Sequence, residues 1–433
     1  MILENLMRIE KKKVLFLVSA ILIMTIRFWG INMNIYIKYI ISGIWCFFLI
    51  IILIKNNSFR ERNIKRQLFL MALPILVISV YAIILWVIKS NISIEHISRL
   101  VSTFLYLCLP WGFVGVGYYY FGKKSIDYLF YAGCISYFVG SILGLIVRYG
   151  VNGILAYVQS LISGVDTSAN FIMEVHDLTF AMGLFFLYYL FFEDKNTKHH
   201  YKKVIISALL IFLGLKRIEI LALIIAILIY FALLKWGKKI TFRAIVLTIV
   251  FLIINLGFIY IIDSGTLDQI VNIYNINTNG RLDLYTYAKQ YFKFSPAFPG
   301  LGFTYFSKLF GDLSTSGFRI NGYRVAHGIH SNVLVQYIEN GFFMFILWII
   351  YSFYFKTKRL YKKCSLVSAE SYLLLTVFVF ILYLTDNCFK YPNTQMVYFI
   401  IPLALAESPY SIFIKIKNNE KKREKDNEES VSM

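Results

Sequence analysis

The stretch AIVLTIVFLIINLGFIYII, Ala244–Ile262, contains no charged side chain. Its length is close to the ~20 residues that carry a helix across the ~30 Å hydrocarbon core of a bilayer. Val14–Trp29 is a second block of the same kind, and further blocks follow along the chain. They do not alternate apolar with polar residues, as the ~10-residue strands of an outer-membrane barrel would. Composition agrees: of 433 residues, 58% are hydrophobic, 18% aromatic and 16% charged. Soluble domains run at about 45–50% apolar and roughly 25% charged, so a soluble enzyme and a disordered chain are both excluded. The expected fold is an all-α polytopic membrane protein.

About twelve crossings are expected, near 14–30, 35–54, 68–88, 100–121, 128–147, 172–192, 204–215, 218–234, 244–262, 333–355, 371–385 and 396–413. With a cytoplasmic N-terminus, the inward connections hold 30 Lys and Arg against 12 in the outward ones. That asymmetry follows the positive-inside rule and puts both termini in the cytoplasm. It also accounts for most of the formal charge of +20. The charge then reports topology and attraction to anionic membrane lipids, and no nucleic-acid partner is needed. Residues 1–413 form one membrane domain, and 414–433, mixed in charge and poor in apolar residues, reads as a disordered cytoplasmic tail. No small-residue cleavage site follows Trp29, so the first block reads as a retained helix rather than a signal peptide. The five cysteines are scattered, without metal-ligand spacing, and read as apolar filler.

Two places depart from simple hairpins. Val204–Leu234, as one helix, would put the basic runs 193–203 and 235–243 on opposite faces of the membrane. Two short helices meeting near Gly214 avoid this, with Lys216 and Arg217 in a turn that dips below the outer surface. The second place is the long outer loop 264–332, rich in Tyr and Phe, which is expected to fold against the membrane, with Leu282–Phe294 as an amphipathic helix.

Charges at membrane depth need a reason. Arg27 and Lys38 lie near span ends and can snorkel. Arg217 either pairs with Glu219 or holds an anion, since a planar guanidinium suits phosphate. Within the loop stand Arg281, the turn Phe298-Pro299-Gly300-Leu301-Gly302-Phe303, and then Tyr323, Arg324, His327 and His330. Histidines three apart beside a span entrance suit acid–base work. No third ligand of clear spacing makes them a metal site. His176-Asp177, at the outer end of a span, is a second polar cluster, read either as a substrate contact or as an internally satisfied pair.

Asn279-Gly280-Arg281 with Tyr285, Pro299-Gly300-Leu301-Gly302, His330-Ser331-Asn332 and Glu339-Asn340-Gly341 together resemble the O-antigen ligase/polymerase superfamily. The basic pair Lys216-Arg217 also matches, with Lys in place of the family's usual Ser. Met344 departs from the pattern of the ligase branch. The resemblance covers the topology and, in motif detail, roughly 204–345. It implies an inverting glycosyltransferase, independent of metal and cofactor, in the cytoplasmic membrane of a bacterium. Its partners would be undecaprenyl-diphosphate-linked oligosaccharides, with a flippase and a chain-length regulator beside it. Arg217 and Arg281 would hold the lipid diphosphate, and His330 would act as general base. Lys216, His176, Tyr323, Arg324, His327 and Glu339 are candidates for substrate contact. Glu339 would either orient His330 or cap the helix it sits on. Joining of repeat units into capsule, exopolysaccharide or O-antigen is the favoured activity. The alternatives are a ligase acting on another acceptor, and a transporter or flippase of lipid-linked sugars. Polar residues gathered in the loop, rather than at the bilayer midplane, speak against transport.

Overall fold

The architecture comes from a computed structural model. It describes residues 2–25, 27–28, 31–32, 35–55, 58–90, 92–163, 172–173, 176–214, 216–235, 239–275, 278, 280–316, 319–320, 323–324 and 328–407. The tail 414–433 lies outside them. The described chain is helical apart from its turns and two short antiparallel pairs, Arg27–Phe28 with Ile31–Asn32 and Arg319–Ile320 with Tyr323–Arg324.

Among the described residues, seven helices are long and apolar enough to cross a membrane. They are Tyr36–Ile54, Phe59–Ile88, Ile94–Phe121, Lys124–Ser160, Ile240–Asp263, Asn332–Lys363 and Leu366–Thr385. Asp177–Phe191 is apolar but shorter. His200–Gly214 and Arg217–Lys235 form the expected pair of short helices, separated at Lys216.

Helix formation follows from apolar residues on every face, with the more tightly packed face turned inward. In Ile2–Met24 the inward row is Phe16, Ala20, Ile23 and Met24, spaced by three and four, while Val14, Leu15, Val18 and Leu22 face out. Ile240–Asp263 likewise buries Ala244, Leu247 and Phe251 and exposes Ile245, Ile249 and Ile253. Large aliphatic side chains left exposed in such numbers suit lipid rather than water as solvent. Leu366–Thr385 is buried from Val367 to Tyr383 and forms the centre of the bundle.

One end of the bundle carries the ion pairs that close the inter-helix turns. There Lys203 bonds Asp127 at 2.9 Å and also reaches Glu193, while His200 Nδ1 lies 2.9 Å from Glu193 Oε2. Arg60 bonds Glu407 at 2.8 Å. The opposite end, the loop end, carries the segment that follows Asp263.

Three local features differ from the sequence reading. The helix expected at 128–147 continues through a π turn, Phe138–Leu143, into Gly144–Ser163, bent at Gly150 where φ is 64°. Val151, Ile154, Leu155 and Val158 keep that stretch apolar, so nothing ends it at 147. In the loop, the helix begun at Arg281 stops at Ala288 and passes through a 3₁₀ turn, Lys289–Tyr291, short of the expected Phe294. Tyr337 ends it: rings of Phe292, Phe294 and Phe298 gather around Tyr337 at 5.9, 6.4 and 5.6 Å, which needs extended backbone. Lys38, expected to snorkel, is instead buried within electrostatic reach of Asp177.

Candidate functional site

The loop end is organised by a glycine contact. Gly300 and Gly341 both have positive φ, 87° and 74°. A Cβ on Gly341 would lie 2.2 Å from the carbonyl carbon of Pro299, and one on Gly300 would lie 2.5 Å from the amide nitrogen of Gly341. The turn 299–302 therefore docks directly on the kink in the helix Asn332–Ile350. Hydrogen bonds from Leu301 N to Ile338 O (3.0 Å), Gly302 N to Glu339 O (2.8 Å) and Phe342 N to Phe298 O (3.0 Å) lock it there. They supply partners for carbonyls that the kink would leave open. From the other side the helix Phe59–Ile88 and its C-cap Lys89 donate to the same turn, through Tyr81 to Pro299 O, Lys89 to Gly300 O and Trp86 to Leu301 O.

His330 stands just ahead of the N-cap of that kinked helix. Its φ is 54°, an unusual value for a residue with a side chain, and it is partly exposed. Its neighbours are pinned. Ser331 Oγ accepts from Leu334 N at 3.2 Å as the cap, Asn332 N donates to Asp386 O at 3.1 Å, and Asn332 Oδ1 accepts from Phe389 N at 2.8 Å. The carbonyl of His330 accepts from the Tyr285 hydroxyl at 3.3 Å.

That last bond brings Arg281 into the site. Gly280, at φ 75°, starts the helix Arg281–Ala288, and Arg281 and Tyr285 lie one turn apart on one face. Burial raises the Tyr285 hydroxyl above its ordinary ionisation range, the Arg281 charge opposes this, and Asp386 adds to it.

Lys216 and Arg217 belong to the same end. The helix Arg217–Lys235 runs antiparallel to Leu366–Thr385: Tyr230 and Leu233 lie level with Glu370 and Leu373, while Glu219 and Phe378 both lie against Gly183. The start of one helix is thus level with the end of the other, where Asp386 holds Asn332. Arg217 is exposed and Glu219 wholly buried, so the Arg217–Glu219 ion pair is not formed. Two residues along a helix is about 200° of rotation, which puts them on opposite faces.

The other candidates divide. Glu339 neither orients His330 nor caps its own helix. It is fully buried and accepts from Ser307 N at 2.8 Å and Ser307 Oγ at 2.9 Å, which caps the helix Tyr305–Thr315. It is therefore not exposed for substrate contact. Asp177 is likewise a cap, accepting from Asn393 N at 3.0 Å and Thr394 N at 2.8 Å. His176 opens the helix His176–Phe191, and Tyr323 and Arg324 pair in a short strand. Their side chains, and His327 altogether, lie outside the described residues.

Sequence reasoning missed Lys390. It sits in the turn after the central helix, where burial lowers its ammonium below the ordinary lysine value, Glu339 opposes this, and Arg99 adds to it. A lone lysine in the short polar connection 386–391 was the available signal. Among the described residues no group of three or more His, Cys, Asp or Glu is arranged to hold a metal. No family model, no curated protein and no solved structure matches this chain.

Proposed function

We propose that this chain is a glycosyltransferase that polymerises undecaprenyl-diphosphate-linked oligosaccharide repeat units at the outer face of a bacterial cytoplasmic membrane. The reading adds about twelve crossings with both termini inside and 264–332 outside, as the 30 to 12 split in basic residues favours. The observation that carries it is the bond from Tyr285 to His330, which gathers a histidine and an arginine from separate motifs at one end of an apolar bundle. The Lys216–Arg217 turn emerges at the same end.

A sugar diphosphate on a polyprenol keeps its tail in lipid and its phosphates at the interface, the depth of that turn. His330 would take the proton of the acceptor sugar hydroxyl as that oxygen attacks the anomeric carbon. The bond from that carbon to the diphosphate breaks on the opposite face, inverting the centre. Arg217 and Arg281 would stabilise the charge gathering on the leaving diphosphate. The loop, outside the bilayer, has room for the hydrophilic glycans, and a flippase and a chain-length regulator would be neighbours in the membrane.

The test uses the purified chain supplied with lipid-linked repeat units. His330→Ala should stop chain extension and let single lipid-linked repeats accumulate, and wild-type activity should persist in EDTA. Restoration of an EDTA-inhibited reaction by a divalent ion would overturn the mechanism. For topology, a cysteine replacing Ser314 should react with an impermeant reagent in intact cells. Labelling only after permeabilisation would remove the outer-face reading.

A further inference from the structure

Between its helices the bundle holds a second polar feature that the proposed reaction does not use. A cavity of about 50 Å³ lies between the central helix and its neighbours, lined in part by Trp111, Trp348, Lys356, Tyr372, Gln395 and Tyr398. Lys356 is 3% exposed, Trp111 2% and Gln395 3%. The Lys356 ammonium lies 4.5 Å from the Tyr372 ring centre and 5.5 Å from that of Tyr398. It also donates to the thioether of Met71, a weak acceptor. Among the described residues no carboxylate lines the cavity. The acidic residue nearest in sequence on the central helix, Glu370, bonds Arg243 at 3.4 Å.

Lys356 is turned inward by a π turn, Tyr351–Phe355, inserted just before it. The extra residue of a wider turn advances everything that follows by about 100° around the axis. Lys358 and Arg359, two and three residues on, are less buried than Lys356. The tyrosine ring faces around this buried amine favour its charged form. A buried charge without an opposite charge is costly, however. The cavity supplies a second donor: the indole N–H of Trp111 is buried without a hydrogen-bond partner among the described residues.

We infer that this cavity is a binding site for a small monovalent inorganic anion of chloride type, held between the Lys356 ammonium and the Trp111 indole N–H. A cavity needs only about 10–15 Å³ to hold one water, so a space of about 50 Å³ admits an ion of chloride size together with a few waters. The site is independent of the glycosyl-transfer reading, and its test does not use that activity.

The full-length chain in detergent is titrated with iodide at constant ionic strength, with gluconate as the replaced anion, and tryptophan fluorescence is followed. Trp111 and Trp348 line the site, so a saturable component of quenching should appear, and added chloride should reverse it. Lys356→Met should lose that component entirely, whereas Lys358→Met should keep it. Quenching that is linear in iodide, unaffected by chloride and equal in the wild type and Lys356→Met would overturn the proposal. Should Lys356→Met fail to fold, the wild type alone decides. A melting temperature that rises saturably with chloride supports the site, and identical melting in chloride and gluconate refutes it.

Discussion

The Tyr285 hydroxyl donates to the main-chain carbonyl of His330 at 3.3 Å, so the helix that begins with Arg281 is fastened to a histidine held at φ 54°. One neutral hydrogen bond contributes about 0.5–1.5 kcal/mol net to stability, so Tyr285→Phe should shift melting only slightly. Turnover with lipid-linked repeats should fall by more than stability does, with kcat affected rather than KM, because what is lost is the placement of His330 against Arg281. A loss of activity that tracks a loss of folded protein would mean the bond is purely structural.

The same hydroxyl implies an alkaline limit. Burial keeps Tyr285 protonated above its ordinary range, so its folded value is the higher one. Its contribution is complete below about pH 10, where the unfolded side chain begins to ionise, and is lost as pH rises through the folded value. Melting of Tyr285→Phe should therefore decline less steeply above pH 10 than melting of the wild type.

Arg217→Ala and Arg281→Ala should each remove about 3–4 kcal/mol of transition-state stabilisation, on the scale of one lost oxyanion donor, while the protein stays inserted. Lysine should rescue neither well, because an ammonium cannot form the two parallel bonds of a guanidinium. Polymer length on gels reads this directly. Wild-type length in both lysine variants would contradict the diphosphate role.

Gly280 and Gly341 both have positive φ, but only Gly341 has backbone in the way of a Cβ. Gly280→Ala should cost about 1–2 kcal/mol, the strain of a left-handed residue. Gly341→Ala must also push the 299–302 turn off its helix, and should lower the melting temperature considerably further.

Glu339→Gln should leave turnover near wild type at temperatures where the fold is intact. Glu339→Ala should lower stability by about 0.5–2 kcal/mol, the usual cost of a lost helix cap. A turnover loss in the glutamine variant at unchanged melting would return Glu339 to the site.

The apolar helices were legible in the sequence because their cause is local. A run such as Ala244–Ile262 has nowhere to satisfy its backbone in lipid except within itself, so its composition alone specifies a helix. The break at Lys216 was legible for a similar reason, since length and charge on one segment sufficed. Arg217 could be named as a charge at membrane depth, and Arg281 and His330 by their places in the motifs of the outer loop. What each one meets was decided only by tertiary structure, because the partners lie far away along the chain. Glu339 became a cap when Ser307 arrived against it, Asp177 when Asn393 and Thr394 did, and Arg217 lost Glu219 to the far face of its own helix. The approach of Pro299 to Gly341, the bond from Tyr285 to His330 and the cavity around Lys356 are contacts between separate elements, and short-range pattern carries no record of them.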